Sequence, residues 1–311
     1  MVTQISIVIC THNPRLDYLN RVLQSLNSQT LTKHFWELLL VDNASNDVLS
    51  KHIDLSWHPN AQHIREEQLG LTPARIRGIK ESTADTIVFV DDDNVLDLDY
   101  LKITLEISRK WENLGAWSGQ VRAEFETNPP EWIKSYLGAL AIREFDRDSW
   151  SNFIGHNPST PCGAGLCIRK SVAEHYATKI IQDVRRIKLG RTGNKLTSCE
   201  DSDIAYTACD IGLGTGQFAS LKLTHLIPSQ RLQKEYMERL IEGMNYSGVM
   251  LNHLRGSKVS LTKRSILQKL IDFYRLIKMS DIDRRMSLAA KRGQRKAISE
   301  ILNFSTQEKA L

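Results

Sequence analysis

The stretch Thr86-Ile87-Val88-Phe89-Val90-Asp91-Asp92-Asp93-Asn94 joins an apolar run directly to three carboxylates. The apolar run is typical of a strand that is buried on both faces of a parallel sheet. Ligands of such sheets bind beyond the carboxyl ends of the strands, which is where the acidic triplet lies. Three adjacent carboxylates repel one another unless a cation lies among them. We therefore expect Mn²⁺ or Mg²⁺, shared with a phosphate group, and a solvated acidic turn is the alternative.

Two earlier apolar runs also end in polar residues. Residues 4–10 are followed by Thr11-His12-Asn13, and residues 36–41 are followed by Asp42-Asn43. Helical spacing of apolar residues separates these runs, which predicts a parallel sheet with helices on both faces. A helix is expected over residues 71–82, with Thr72 as its N-cap. Three polar strand ends at one edge of a sheet predict a binding crevice.

Length and composition indicate a globular protein of one large domain or two ordinary domains. No apolar run reaches the ~18 residues of a transmembrane helix. The run at residues 5–10 is too short for a signal peptide and has no basic residue before it. The 5 cysteines are odd in number and form no C-x-x-C pair, which predicts reduced thiols. We therefore expect a cytoplasmic protein.

The charge is distributed unevenly along the chain. Residues 255–311 contain 14 Lys or Arg and 5 Asp or Glu, a balance of +9, whereas the whole chain carries +5. Basic and apolar residues at helical spacing over residues 261–277 predict an amphipathic, cationic helix. We expect this helix to pack on the protein or in a homodimer. The alternative is peripheral contact with the anionic inner face of the membrane, and nucleic acid is not an expected partner.

Seven short motifs follow one another in an order that is typical of one enzyme family. They are Ile-Val-Ile-Cys-Thr-His-Asn, Val-Asp-Asn-Ala-Ser, Gly70-Leu71-Thr72-Pro73-Ala74-Arg75, Phe-Val-Asp-Asp-Asp, Pro161-Cys162-Gly163-Ala164-Gly165, Cys199-Glu200-Asp201 and Thr224-His225-Leu226-Ile227-Pro228. Together they resemble the large family 2 of inverting glycosyltransferases, over about residues 4–240.

The resemblance implies the GT-A fold, a Rossmann-like mixed sheet flanked by helices, with a helical C-terminal extension. The catalytic domain would span residues 1–230, with a nucleotide-sugar-binding half (1–95) and an acceptor-binding half (96–230). Residues 231–311 would form the basic helical region. The implied reaction moves a sugar from a nucleoside-diphosphate sugar, UDP-linked, to a hydroxyl of a saccharide or lipid-linked acceptor. The implied role is the biosynthesis of surface or extracellular polysaccharide.

The resemblance also assigns residues to the donor. Asp42 would accept a hydrogen bond from a pyrimidine ring, with Thr11, His12 and Asn13 lining the base. Capping of a turn is the alternative role for Asp42. Arg75 would contact the diphosphate beside a helix N-terminus, because a guanidinium binds phosphate oxygens in a bidentate manner. The family usually has Asn after this Arg, and this chain has isoleucine there.

The metal ligands follow from the same resemblance. Asp91 and Asp93 match the outer positions of the family's D-x-D motif, and Asp93 would bridge the metal and the diphosphate. Asp92 is expected to point toward the ribose hydroxyls, since side chains alternate sides at a strand end. His225 would be the third protein ligand, and a purely structural histidine is the alternative.

On the acceptor side, Asp201 matches the family's catalytic base. Inversion by single displacement needs a base that takes the proton from the attacking hydroxyl. The alternative role for Asp201 is a helix cap. Glu200 would contact acceptor hydroxyls, and the remaining acceptor-side residues are Trp132, Gly163, Ala164 and Gly165.

Two other functions are consistent with the acidic triplet. A phosphatase of the haloacid-dehalogenase type would use Asp91 as its nucleophile and Asp93 beside it, but three α/β units precede this motif here. A non-catalytic relative that binds sugar nucleotides would have lost its catalytic residues, whereas Asp93 and Asp201 are intact.

Overall fold

The computed structural model describes residues 2–155, 157–257 and 265–307. Across these residues, nine strands form one mixed sheet. The strands are β1 (Ile5–Thr11), β2 (Trp36–Asn43), β3 (Ala61–Glu66), β4 (Thr86–Val90), β5 (Asn94–Leu96), β6 (Leu114–Phe125), β7 (Ser149–Ser151), β8 (Leu166–Arg169) and β9 (Gly214–Ile227). Their order in the sheet is β3-β2-β1-β4-β8-β6-β9-β5, and β7 pairs with β9.

Helices cover both faces of this sheet. The α-helices are α1 (Leu16–Asn27), α2 (Leu71–Glu81), α3 (Tyr100–Lys110), α4 (Lys170–Gln182), α5 (Glu200–Asp210), α6 (Lys234–Leu254), α7 (Ile266–Lys278) and α8 (Asp281–Gln307). Short 3-10 helices span Lys33–Phe35, Leu49–Lys51, Glu131–Leu140, Val184–Leu189 and Ser229–Leu232. Helices α1 and α3 pack on one face, whereas α2, α4 and α5 pack on the other.

The apolar strands are buried because alternate side chains enter two different cores. In β1, Ile7 and Ile9 join the core under α1 and α3, and Val8 joins the core under α2, α4 and α5. In β4, Val88 belongs to the first core and Phe89 to the second. This confirms the strand type that the uninterrupted apolar runs predict.

The parallel half of the sheet places the polar strand ends side by side. Strand β1 runs parallel to both β2 and β4, and Thr11 is the register partner of Asp42. Strand β3 extends the parallel set next to β2. The other half is mixed, since β8 is antiparallel to β4 and β6, whereas β6 and β9 are parallel. The predicted mixed sheet with flanking helices is confirmed.

One local prediction is wrong. Helix α2 begins at Leu71 after Gly70, whose φ of +141° suits glycine. Thr72 is therefore inside the first turn and not the N-cap, and its buried hydroxyl has no hydrogen-bond partner among the described residues. His225 lies within β9, opposite Asn94 of β5.

The C-terminal region is helical, as expected. Helix α7 begins after Ser265, which forms a capping box with Gln268. Residues 261–264 of the predicted amphipathic helix lie outside the described residues. Every helix within the described ranges is too short or too polar to cross a lipid bilayer.

Candidate active site

A crevice of about 540 Å³ opens at the carboxyl ends of β1, β2 and β4. It is bounded on the other side by the start of α5, the end of β9 and helix α6. Predicted site residues from the first 95 residues and from the later part of the chain line it, namely Thr11, His12, Arg75, Asp91, Asp92, Asp93, Gly163, Ala164, Glu200, Asp201 and His225. The acidic triplet therefore shares one cavity with the candidate base.

Asp42 does not line the crevice within the described part of the chain. Its side chain is 5% exposed, and its two carboxylate oxygens accept hydrogen bonds from the N–H groups of Ser45 and Leu49. Arg65 also donates to it, at 2.8 Å. Burial would raise the pKa of Asp42, but these hydrogen bonds outweigh it and hold the pKa below its usual range. This geometry is that of a turn-capping residue, the alternative that the sequence left open.

Three other predicted residues also have mainly structural contacts. Asn13 joins the loops after β1 and β2, because its side chain accepts a hydrogen bond from the N–H of Asn46 at 2.9 Å. The carbonyl of Gly165 accepts a hydrogen bond from Tyr100, and a Cβ at this glycine would lie 2.2 Å from that hydroxyl oxygen. Trp132 packs in a cluster beneath α6, 6.3 Å from the ring of Tyr136.

Arg75 connects the two halves of the crevice. Its Nη1 donates to Oε2 of Glu200 at 3.0 Å, and its Nη2 lies 3.5 Å from Oδ1 of Asp91. The side chains of Arg75 and Glu200 are 4% and 3% exposed. Burial raises the pKa of Glu200 to about 7, although the guanidinium partly opposes this. Oε1 of Glu200 has no hydrogen-bond partner among the described residues.

Asp201 faces the crevice from the first turn of α5. Its Oδ2 accepts a hydrogen bond from the N–H of Gly163 at 2.8 Å, and its Oδ1 accepts one from the N–H of Ser202 at 2.8 Å. The hydroxyl of Ser202 also donates to Oδ1, at 3.5 Å, so it is Oδ2 that keeps a further lone pair. A Cβ at Gly163 would lie 3.3 Å from Nη2 of Arg75 and 3.5 Å from Oδ2 of Asp201, so glycine allows this close approach.

Asp92 contacts the end of β1. Thr11 donates its hydroxyl to Oδ2 of Asp92. Burial and the neighbouring carboxylate of Asp93 raise the pKa of Asp92 to about 7. His12 lies on the same side, and its Nδ1 is 2.8 Å from the carbonyl oxygen of Asn43.

Asp93 and His225 form a buried pair that Arg231 joins. Oδ2 of Asp93 lies 3.3 Å from Nε2 of His225 and 2.9 Å from Nη2 of Arg231. Burial would raise the pKa of Asp93, but the contacts with His225 and Arg231 outweigh it and the pKa is held well below its usual range. Among the described residues, no three His, Cys, Asp or Glu side chains lie close enough to hold a metal ion by themselves.

Several crevice residues are absent from the sequence-based assignment. Arg231 lies six positions after His225, and no motif marks it. Arg191 and Lys195 belong to a basic segment that precedes Glu200 in the sequence. Helix α6 contributes Tyr236, Leu240 and Met244. These contacts are made between segments that are distant in sequence, so no local pattern predicts them.

Comparisons with known proteins identify the family and the fold. Residues 6–176, more than half of the chain, match the sequence profile of the family described as "Glycosyl transferase family 2". A segment of 91 residues is 36% identical to polypeptide N-acetylgalactosaminyltransferase 8 of Drosophila melanogaster, and covers 28% of this chain and 15% of that protein. A segment of the same length is 35% identical to the uncharacterized glycosyltransferase YwdF of Bacillus subtilis, and covers 29% of this chain and 33% of that protein. The chain therefore matches only a minor part of either relative.

Solved structures with a similar fold include residues 1–349 of TarS from S. aureus and GalNAc-T7 with UDP, GalNAc and Mn²⁺. The TM-scores are 0.50 and 0.53, each at 14% sequence identity. The superpositions cover 88% of this chain in both cases, 79% of the TarS chain and 55% of the GalNAc-T7 chain. At this identity the similarity concerns the fold alone, which is that of GT-A glycosyltransferases.

Proposed function

Since the chain belongs to glycosyl transferase family 2, we propose that it moves a sugar from a nucleoside-diphosphate sugar to a hydroxyl of a saccharide or lipid-linked saccharide acceptor, with inversion. One observation carries the proposal: the acidic triplet after β4 and the carboxylate of Asp201 line the same crevice. Family membership argues against the phosphatase alternative. The biosynthesis of surface or extracellular polysaccharide is the proposed role.

For the donor, we propose a UDP-linked sugar. GalNAc-T7 and TarS were each solved with UDP, which supports this choice for a chain of the same fold. The base would lie near Thr11, His12 and Asn43, and the ribose near Asp92. A contact between Asp42 and the base stays a prediction. It requires one of the groups that now donate a hydrogen bond to Asp42 to be replaced by the ring N–H of the base.

For the diphosphate, the proposed contact is Arg75. Its guanidinium is almost fully buried and is fixed by Glu200, so little side-chain freedom remains to be lost when an anion binds. This placement gives Glu200 a positioning role toward Arg75, which the contacts support better than a direct contact with acceptor hydroxyls.

For the acceptor, the proposed base is Asp201. Its Oδ2 is oriented by the N–H of Gly163 and retains a lone pair that can take the hydroxyl proton. Because this proton leaves as the oxygen attacks, the carboxylate acts mainly in the transition state. Gly163 and Ala164 would form the adjacent wall of the acceptor site.

The donor set around Asp93 fits a divalent cation with two protein ligands. A carboxylate oxygen and an unprotonated imidazole nitrogen suit Mn²⁺, and phosphate and water can complete its coordination. Asp91, the third predicted ligand, faces Arg75 instead. We therefore propose that Asp93 and His225 hold Mn²⁺ or Mg²⁺ together with the diphosphate. Such a cation, when bound, adds positive charge beside the leaving nucleoside diphosphate.

We also propose that α7 attaches the protein to the inner face of an anionic membrane, where a lipid-linked acceptor would be available. Seven large apolar side chains of this helix are 42–78% exposed, which favours contact with a membrane over packing on the rest of the protein. They are Ile266, Leu267, Leu270, Ile271, Phe273, Tyr274 and Ile277.

A thermal-shift screen of nucleoside diphosphates tests the proposed function. We expect UDP to raise the melting temperature, because a ligand at 100 times its Kd stabilises the native state by about 2.7 kcal/mol. Uridine serves as the matched control without a diphosphate and should have a much smaller effect. If no nucleoside diphosphate raises the melting temperature, with or without Mn²⁺, the proposed donor site is wrong.

A further inference from the structure

Arg231 occupies the centre of the candidate cation site. It belongs to the 3-10 helix Ser229–Leu232, which follows β9, and its guanidinium reaches back into the crevice. Nη2 lies 2.9 Å from Oδ2 of Asp93, and Nη1 lies 2.9 Å from Nε2 of His225. One guanidinium therefore contacts both of the atoms, Oδ2 of Asp93 and Nε2 of His225, that would coordinate a divalent cation.

The hydrogen bonds of His225 define which of its ring nitrogens is free. Nδ1 lies 3.0 Å from the carbonyl oxygen of Leu140, which can only accept, so Nδ1 carries the proton. Nη1 of Arg231 can only donate and lies 2.9 Å from Nε2, so Nε2 is the acceptor of this contact. Oδ2 of Asp93 is a second acceptor only 3.3 Å away. Two facing lone pairs in a buried site require a positive group between them, and here Arg231 supplies it.

We propose that Arg231 excludes a divalent cation from Asp93 and His225 until a nucleotide is bound. A metal ion at coordination distance from these two atoms, about 2.0–2.2 Å, would lie beside the guanidinium nitrogens that contact the same atoms. Two cations at such a distance repel strongly where water is scarce. The site therefore accommodates either the guanidinium or the metal ion, but not both in this arrangement.

A diphosphate changes this competition, which is the part of the inference that rests on the proposed function. Its oxygens offer the guanidinium of Arg231 new anionic partners in the same crevice. They also add ligands to the metal ion, which prefers phosphate oxygens to a purely protein site. Metal ion and nucleotide should consequently each raise the affinity of the other, since coupling between two sites is reciprocal.

The first experiment measures Mn²⁺ binding to the full chain without nucleotide, by isothermal titration calorimetry. Relative to the wild type, Arg231→Gln should bind Mn²⁺ at least ~10-fold tighter, because Arg231 no longer competes for the site. A tenfold change in Kd corresponds to about 1.4 kcal/mol of binding free energy. Arg231→Lys keeps a cation at the position and should stay weak. Adding Asp93→Asn to Arg231→Gln should abolish the gain. Arg21→Gln is the matched control, because Arg21 pairs with Glu124 on the exposed surface, outside the crevice.

The second experiment repeats the titration with saturating UDP. The Mn²⁺ affinity of the wild type should rise at least ~10-fold, and that of Arg231→Gln should rise less. Unchanged Mn²⁺ affinity of Arg231→Gln without nucleotide, in a variant with a native circular dichroism spectrum, would overturn the exclusion. If UDP alters Mn²⁺ binding in no variant while Arg231→Gln still gains affinity, the exclusion stands and the proposed donor site fails.

Discussion

Glu200 and Asp201 are neighbours in the first turn of α5, but their carboxylates have different environments. The turn lies at the boundary between the protein interior and the crevice. The side chain of Glu200 is buried and pairs with the guanidinium of Arg75. Asp201 is turned outward, where two backbone N–H groups orient it. One residue is therefore suited to positioning and the other to proton transfer.

We predict that Asp201→Asn lowers kcat by at least ~10²-fold and leaves UDP affinity almost unchanged, because a general base acts mainly in the transition state. Initial rates and calorimetry with UDP measure the two quantities. Asp99→Asn is the control, since Asp99 is the N-cap residue of α3 but lies outside the lining of the crevice. If Asp201→Asn behaves like Asp99→Asn, Asp201 is only a helix-start residue.

We predict that Glu200 makes stability fall as pH rises. Its pKa is raised to about 7 in the folded protein and is ordinary in the unfolded chain, so between roughly pH 4.5 and 7 only the unfolded chain has released the proton. Glu200→Gln removes this titration. Compared with the variant, the wild type should lose on the order of 3 kcal/mol of unfolding free energy across that window. Urea denaturation at pH 5, 6, 7 and 8 measures the difference, and parallel curves would contradict the prediction.

At the scale of elements, helix α2 positions Arg75 only because it packs very closely on β1. A Cβ at Gly78 would lie 2.3 Å from Cγ1 of Val8, so the helix can approach the strand this closely only because glycine has no side chain. The same face of α2 buries Ala74 and Ile79 against the sheet. The distance from α2 to the sheet thus sets where Arg75 enters the crevice.

Gly78→Ala should destabilise the protein by about 1–3 kcal/mol, because overpacking forces the helix away from β1. It should also weaken UDP binding through the displacement of Arg75. Gly248→Ala in α6 is the matched control, since no described atom beyond its neighbours lies within 4 Å of the added Cβ. Alanine there should be neutral or stabilising by up to about 1 kcal/mol. Equal stability of the two variants in urea denaturation would refute the packing argument.

The elements of the first 95 residues could be predicted from the sequence because their signals are local. Apolar runs predict β1, β2 and β4, and the polar residues after each run predict the edge where the crevice opens. The N-cap at Thr72 was mispredicted because Gly70, with its positive φ, allows the helix to start earlier. Arg231 was not predicted at all, since its contacts depend on how β5, β9 and the following turn meet.

At the scale of the whole molecule, some of the basic side chains of the C-terminal region form ion pairs within the protein. Arg285 and Arg292 of α8 form ion pairs with Glu238 and Glu242 of α6. Met286, Ala289, Ala297 and Ile301 of α8 are buried, with Met286 and Ile301 in the two clusters that α6 shares with the catalytic domain. The net charge of residues 255–311 could be counted from the sequence, but this pairing could not, because it depends on the parallel packing of α8 on α6, two helices that are separated by α7 in the sequence.

Helix α7 differs from α8 because its apolar side chains face solvent. Ile266, Leu270, Phe273 and Ile277 fall on one side of the helix, with Leu267, Ile271 and Tyr274 beside them, and Arg275 and Lys278 border this surface. Such a helix can lie in the headgroup region of a bilayer, with its apolar face toward the acyl chains. Each basic residue near an anionic surface adds about 1 kcal/mol of attraction. Apolar burial must therefore provide the larger share of the binding energy.

We predict that the protein sediments with vesicles that contain phosphatidylserine, less with neutral phosphatidylcholine vesicles, and less again at high salt. Leu270→Glu combined with Phe273→Glu should abolish this binding. Ile181→Glu is the matched control, because Ile181 is an apolar residue of α4 that is 77% exposed. Substitution is preferable to truncation, since removing residues 255–311 would also remove the buried side chains of α8. If the double variant instead dissociates a dimer in light scattering, and vesicles bind neither protein, the α7 surface is an interface between two copies of the chain.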